Sequence, residues 1–175
     1  VAERLAELGV SRLSVSLDSF DETVHDKFRG KRGALKKAME ALEHAKTAGM
    51  SAYMNITVGH YNAFDQDIEK LLQYSKDKGY TTLLNVACPS GAWASNDEVM
   101  CNEKDTTHII ELRKKYKNVF RNLWNPLDKQ YEDVLGCNTV NRMYITPLGD
   151  VLVCPYVHIK IGNIYENSLR EIKDY

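Results

Sequence analysis

The chain has 175 residues, 43% of them hydrophobic and 27% charged, with 23 basic against 24 acidic side chains and a formal net charge of −1. That length suits one substantial core, or a medium domain with a small appendage, and the charge balance excludes a broad cationic surface for nucleic acid or anionic lipid, so a peptide or small-molecule substrate is expected. No apolar run approaches the roughly 20 residues of a membrane helix and VAERLAELGV has no signal-peptide pattern, so a cytoplasmic location is expected, with no nucleic-acid or membrane partner.

The chain opens in mid-helical pattern, with Val1, Leu5 and Leu8 on one face and no capping residue ahead of them. This reads as the interior of a longer protein. Residues 12–18, RLSVSLD, alternate as a strand does: Leu13, Val15 and Leu17 face one way, Ser14, Ser16 and Asp18 the other. A loop through Phe28, Arg29 and Gly30 is expected to lead into the helix GALKKAMEALEHAKTAG, where Leu35, Met39, Leu42 and Ala45 recur at helical spacing and Gly49 closes the end. Tyr53 to Val58 alternates again, and Asp65 to Lys78 is an amphipathic helix with Ile68, Leu71, Leu72 and Ser75 inward and Gly79 at its end. TTLLNVAC gives a third strand with Asn85 inside it; Asn102 and Asp105 then cap a helix reaching Tyr116, and 118–123 suits one more short strand.

Strands separated by helices of this length predict parallel βαβ units, because a parallel neighbour needs a crossover connection. Strands buried on both faces read as continuous apolar runs, yet three successive strands here put polar groups on one face: Ser14, Ser16 and Asp18, then Asn55 and Thr57, then Asn85. That pattern predicts a sheet curved around a polar cavity, an α/β fold of full or partial (β/α) TIM-like barrel type. Around Trp124 to Leu135 the period is lost, which places a domain boundary there and gives domains of 1–124 and 125–175. Beyond it, RMYIT and VLVCP form a β-hairpin about Pro147-Leu148-Gly149-Asp150. With Leu148 and Gly149 as the central pair, Cys154 stands opposite Met143, and Cys137 lies six residues earlier, so the two sulfurs can converge.

Four cysteines, at 88, 101, 137 and 154, are too few for a disulfide scaffold, and in a reducing compartment they are buried, reactive or metal-bound. A zinc site would expect short Cys-x-x-Cys or His-x-His clusters, which are absent, but a non-catalytic α/β module whose hairpin holds zinc or no metal stays open as an alternative. Around the pair runs a longer series: Cys137, eleven residues, Gly149, four residues, Cys154-Pro155, then Gly162-Asn163-Ile164 and Ser168-Leu169-Arg170-Glu171-Ile172.

This series resembles the opening of a SPASM or twitch domain, the C-terminal extension of many radical S-adenosylmethionine enzymes. The resemblance implies that Cys137 and Cys154 ligate an auxiliary four-iron, four-sulfur cluster, for which thiolate is the suitable donor. The cluster's remaining ligands are expected beyond Tyr175. Ser16-Leu17-Asp18, followed by His25-Asp26-Lys27-Phe28-Arg29-Gly30, resembles the fourth-strand segment of radical S-adenosylmethionine barrels, and implies that Ser16 and Arg29 contact the bound cofactor. Such roles suit a hydroxyl facing the lumen and a guanidinium able to grip a carboxylate in two places. Asn55, on the same face of the next strand, is a further candidate for the ribose or the methionyl end.

The family's Cys-x-x-x-Cys-x-x-Cys loop does not occur in these 175 residues. The resemblance therefore implies the back half of a barrel and the start of a SPASM domain, inactive alone. In the intact enzyme it implies reductive cleavage of S-adenosylmethionine, a peptide or small-molecule substrate, and a reductant such as flavodoxin or ferredoxin. Cys88 is expected in the core, Cys101 in a structural or exposed place, His158 facing solvent, and Trp93 and Trp124 between barrel and extension.

Overall fold

The computed structural model describes residues 1–89, 91–122, 143–153 and 159–173. The chain divides into two compact units, Val1–Glu132 and Asp133–Tyr175.

In the first unit, helix α1 (Ala2–Glu7) leads to strand β1 (Arg12–Ser16), helices α2 (Glu22–Arg29) and α3 (Ala34–Thr47), and strand β2 (Ser51–Val58). Helix α4 (Gln66–Lys78), strand β3 (Thr81–Val86), helix α5 (Glu103–Lys115) and strand β4 (Val119–Asn122) follow, with two short 3-10 turns at Gly91–Trp93 and Asp97–Val99. The four strands pair in the order β1-β2-β3-β4, every pair parallel. Each strand is joined to the next through helix, so the sheet grows by one βα unit at a time, as a (β/α) barrel does. This is the α/β, partial-barrel architecture expected from the alternation of patterns.

One face of the sheet carries the core. Leu17, Met54, Ile56, Val58 and Leu84 are fully buried and pack with Leu42 of α3 and Leu71 and Leu72 of α4. The expected inward position of Ser75 in α4 is correct, and its hydroxyl is satisfied: Thr82 Oγ1 donates to it at 2.6 Å and Asn118 Nδ2 at 3.1 Å, while Ser75 donates to the Tyr80 carbonyl at 3.2 Å. A buried hydroxyl is tolerated where all its bonds are made. Helix ends follow the chemistry of the chain: Asp65 accepts from the Asp67 N–H at the start of α4, Gly79 takes a left-handed φ of 66° at its end, and Asn102 and Asp105 form a reciprocal capping box on α5.

The segment before Gly30 is not the expected loop. It is α2, an eight-residue helix begun by Asp21, whose side chain accepts from the Thr23 and Val24 N–H groups, and ended by Gly30 at φ 66°. Its polar sequence hides the helix, because only His25 and Asp26 are buried along it.

In the second unit, strands β5 (Tyr144–Ile145), β6 (Asp150–Leu152) and β7 (Lys160–Asn163) form an antiparallel sheet, followed by helix α6 (Leu169–Lys173). The hairpin exists as expected, but its register is one residue off: Tyr144 pairs with Leu152 and Ile145 with Val151. The Gly149 N–H donates to the Thr146 carbonyl at 2.9 Å and Gly149 itself sits at φ 81°, a turn of three residues closed by a left-handed glycine. An added Cβ at Gly149 would also lie 2.5 Å from the Tyr165 ring. Asn163 then ties the turn to β7, donating to the Leu148 carbonyl at 3.1 Å and to Asp150 at 2.8 Å.

Candidate functional site

Because β1 to β3 run parallel, their C-terminal ends share one edge, and the loops after them carry side chains to it. The face opposite the core is polar there. Ser16 is the register partner of Asn55, and Thr57 the partner of Asn85, so these groups form one band across three strands. The side-chain oxygen of Asn55 is buried and has no hydrogen-bond partner. A buried acceptor left unpaired costs free energy, so a donor supplied by a ligand fits this position.

Arg29 comes to the same edge from the last turn of α2. Its Nε and Nη2 donate to Oδ2 of Asp18, at 2.7 and 2.5 Å. The other oxygen of Asp18 accepts from the Thr57 backbone N–H at 3.1 Å, which extends the β1–β2 pairing past Ser16. The Asp18 N–H in turn donates to Nδ1 of His25 at 3.2 Å. Burial pulls the His25 imidazole below its ordinary pKa, although the nearby Asp18 carboxylate acts the other way, so the ring is neutral and Nδ1 is free to accept. Three of the sequence candidates, Ser16, Arg29 and Asn55, thus gather at one end of the sheet. Cys137 and Cys154, together with Trp124 and His158, lie outside the described residues. Among the described residues no group of three or more histidines, cysteines or acidic side chains could hold a metal ion.

Sequence reasoning missed several groups at this edge. Phe28, Tyr61 and Trp93 reach it from three different segments and form a partly exposed aromatic cluster, with ring centroids 5.8 to 6.5 Å apart. The Tyr61 hydroxyl is pushed up to about 12, first by burial and then by the Asp18 carboxylate, so it stays a proton donor at neutral pH. His60 places Nδ1 2.8 Å from Oδ2 of the buried Asp105 carboxylate and 3.1 Å from Nδ2 of Asn102, so the ring is tied to the start of α5. Gly59 before it admits no side chain, since a Cβ would lie 2.5 Å from the Val99 carbonyl oxygen. The Gly59-His60 pair and the Asp105 cap were visible in the sequence, but nothing in local periodicity joins residues 45 positions apart. Cys101 is half-buried with its thiol 3.8 Å from the Val58 carbonyl, and Cys88 is half-buried just past the end of β3 rather than in the core.

Residues 1–75 match the family model of the radical SAM superfamily, and residues 137–174 match the SPASM model, described as an iron–sulfur cluster-binding domain. The chain belongs to the radical SAM superfamily. Its relatives include AdoMet-dependent heme synthases from Methanosarcina barkeri, 28% identical over 98% of this chain and 56% of that protein, and from Oleidesulfovibrio alaskensis, 38% identical over 98% of this chain and 50% of that protein. The chain therefore spans about half the length of these curated relatives. Among solved structures it superposes on anSMEcpe with bound AdoMet and the Cp18Cys peptide at a TM-score of 0.62 and 16% identity, covering 99% of this chain and 54% of that one, which supports the radical SAM fold. Radical SAM membership with a SPASM segment implies S-adenosylmethionine and four-iron, four-sulfur clusters as cofactors. The donor chemistry at the strand ends fits the first of these: a hydroxyl, an unpaired buried amide oxygen and a guanidinium can meet hydroxyl, amino and carboxylate groups. Among the described residues no helix is long and apolar enough to cross a membrane.

Proposed function

We infer that the intact protein is a radical SAM enzyme that reductively cleaves S-adenosylmethionine to modify an organic substrate, and that this chain supplies one side of the cofactor pocket. The observation that carries this reading is the unpaired buried oxygen of Asn55 beside Ser16, on the strand edge where Arg29 is held. Arg29 takes the cofactor's carboxylate, Ser16 and Asn55 its hydroxyl and amino groups. When bound, S-adenosylmethionine and a reducing cluster supply the radical chemistry. Residues 1–124 form the back half of the barrel, and 125–175 the start of a SPASM domain in which Cys137 and Cys154 provide two of the auxiliary cluster's thiolates. A flavodoxin or ferredoxin supplies electrons in the cytoplasm.

The test is cofactor affinity in the reconstituted full-length protein. Arg29→Ala weakens S-adenosylmethionine binding by about 1.5–3 kcal/mol, the scale of a hydrogen bond to a charged group. Unchanged affinity in that variant overturns the assignment.

For the substrate, a planar tetrapyrrole is favoured over a peptide. The relatives that reach 37–38% identity over 98% of this chain are heme synthases, while GTP 3',8-cyclases resemble it at 23–28% and the peptide-bound structure stands at 16%. The partly exposed trio of Phe28, Tyr61 and Trp93 at the strand edge suits a flat aromatic face. Titrating an iron porphyrin bearing propionate groups into the full-length protein shifts the porphyrin's main absorption band, and Trp93→Leu weakens that binding. No shift with the porphyrin, together with binding of a cysteine-containing peptide, returns the substrate to the peptide class.

A further inference from the structure

Asp18 belongs to the strand segment on which the family resemblance rests, yet the cofactor pocket described above gives it no part. Its carboxylate is 7% exposed and both oxygens are engaged, Oδ1 by the Thr57 N–H and Oδ2 by Arg29. The backbone of Asp18 is held as well, through its N–H to the neutral His25 ring at 3.2 Å. The carboxylate is thus fixed from β2 and its backbone from α2, and it fixes Arg29 in turn.

The contact is one-sided. Nε–H and one Nη2–H of Arg29 go to a single oxygen of Asp18, which leaves the remaining Nη2–H and both Nη1–H groups on the far edge of the guanidinium. Arginine is long and its rotamer freedom is lost on binding, so a side chain already held along one edge presents the other with less entropy left to lose. The side chain is 32% exposed, so its free edge is reachable from outside.

We propose that Asp18 is the positioning residue of the cofactor pocket, orienting Arg29 so that its Nη1 edge receives the carboxylate of S-adenosylmethionine. This rests on the reading of Arg29 as the carboxylate contact. It differs from a simple charge effect. Asp18 neutralises Arg29, so by local charge alone its removal would strengthen the grip of Arg29 on a carboxylate, whereas a positioning role makes its removal weaken that grip.

A double-mutant cycle on the reconstituted full-length protein, read as S-adenosylmethionine affinity by equilibrium dialysis without reductant, decides the matter. Asp18→Asn keeps the size of the side chain and an acceptor for the Thr57 N–H, but loses the anionic oxygen that holds Arg29. The expected result is affinity lowered by about tenfold in Asp18→Asn, and no further loss when Asp18→Asn is added to Arg29→Ala. An equal loss in both backgrounds overturns the proposal, because damage to the fold, or attraction of Asp18 for the cofactor's own cationic groups, acts whether or not Arg29 is present. Unchanged or tighter binding in Asp18→Asn, with Arg29→Ala still weakened, also overturns it while leaving the cofactor reading of Arg29 intact. Unchanged binding in Arg29→Ala removes both together.

Discussion

Asn55→Ala separates function from folding. The Asn55 oxygen is buried on the polar face of β2 with no partner. A buried acceptor without a hydrogen bond costs about 1–3 kcal/mol, while the small amount of packing lost with the amide is worth about 1 kcal/mol at most. The variant should therefore fold as well as the parent or better, by up to about 2 kcal/mol, which at about 2–4 °C per kcal/mol raises the melting temperature by up to about 4–8 °C. The same change removes an acceptor for the cofactor, and S-adenosylmethionine affinity falls by about tenfold, or about 1.4 kcal/mol. Thermal unfolding of the cofactor-free full-length protein and equilibrium dialysis give the two numbers. A variant that melts several degrees lower and binds the cofactor unchanged would refute the argument, since it would make Asn55 a structural residue.

Three further outcomes follow from packing and charge. Gly59→Ala places a methyl group 2.5 Å from the Val99 carbonyl oxygen and 2.9 Å from Ala87, and overpacking of this kind destabilises by about 1–3 kcal/mol, read as a lower urea midpoint. Asn102→Ala removes the side-chain oxygen that accepts from the Lys104 and Asp105 N–H groups, and costs about 1 kcal/mol in the same measurement. His25 is held below its ordinary pKa, chiefly by burial, so the unfolded chain binds a proton more readily than the folded one. Its contribution to stability is complete above the unfolded value of about 6.5 and is lost as pH falls from there toward the folded value. The melting temperature of the parent should decline from pH 7 to pH 5.5, and that decline should be smaller in His25→Gln; equal slopes contradict the assignment.

What could be read from the chain depended on how local each signal was. Helices α3 and α4 and strand β2 are long and strongly periodic, and their caps, Asp65, Gly49 and Gly79, are spelled out in adjacent residues, so their places were legible. The polar faces of three strands gave the barrel, because alternation fixes which face each residue takes. Helix α2 was missed because its sequence is polar nearly throughout and only the Asp21 and Gly30 caps announce it. The hairpin register slipped by one because a left-handed Gly149 adds a residue to the turn, a choice that Pro-Leu-Gly-Asp does not decide. Ser16 and Arg29 were named by resemblance and Asn55 by its place on the same face of the next strand, whereas the Asp18 network was not legible, since its partners lie 11 and 39 residues away and meet only when α2 and β2 fold onto β1.

The account's central claim is that the full-length protein performs radical S-adenosylmethionine chemistry. Release of 5′-deoxyadenosine by the anaerobically reconstituted protein under reduction, measured by chromatography, tests it most directly. The account predicts a brown, iron-loaded protein that releases 5′-deoxyadenosine, with the yield lowered in Arg29→Ala at limiting cofactor. A colourless protein, or one that takes up zinc without iron and leaves S-adenosylmethionine intact, would contradict it.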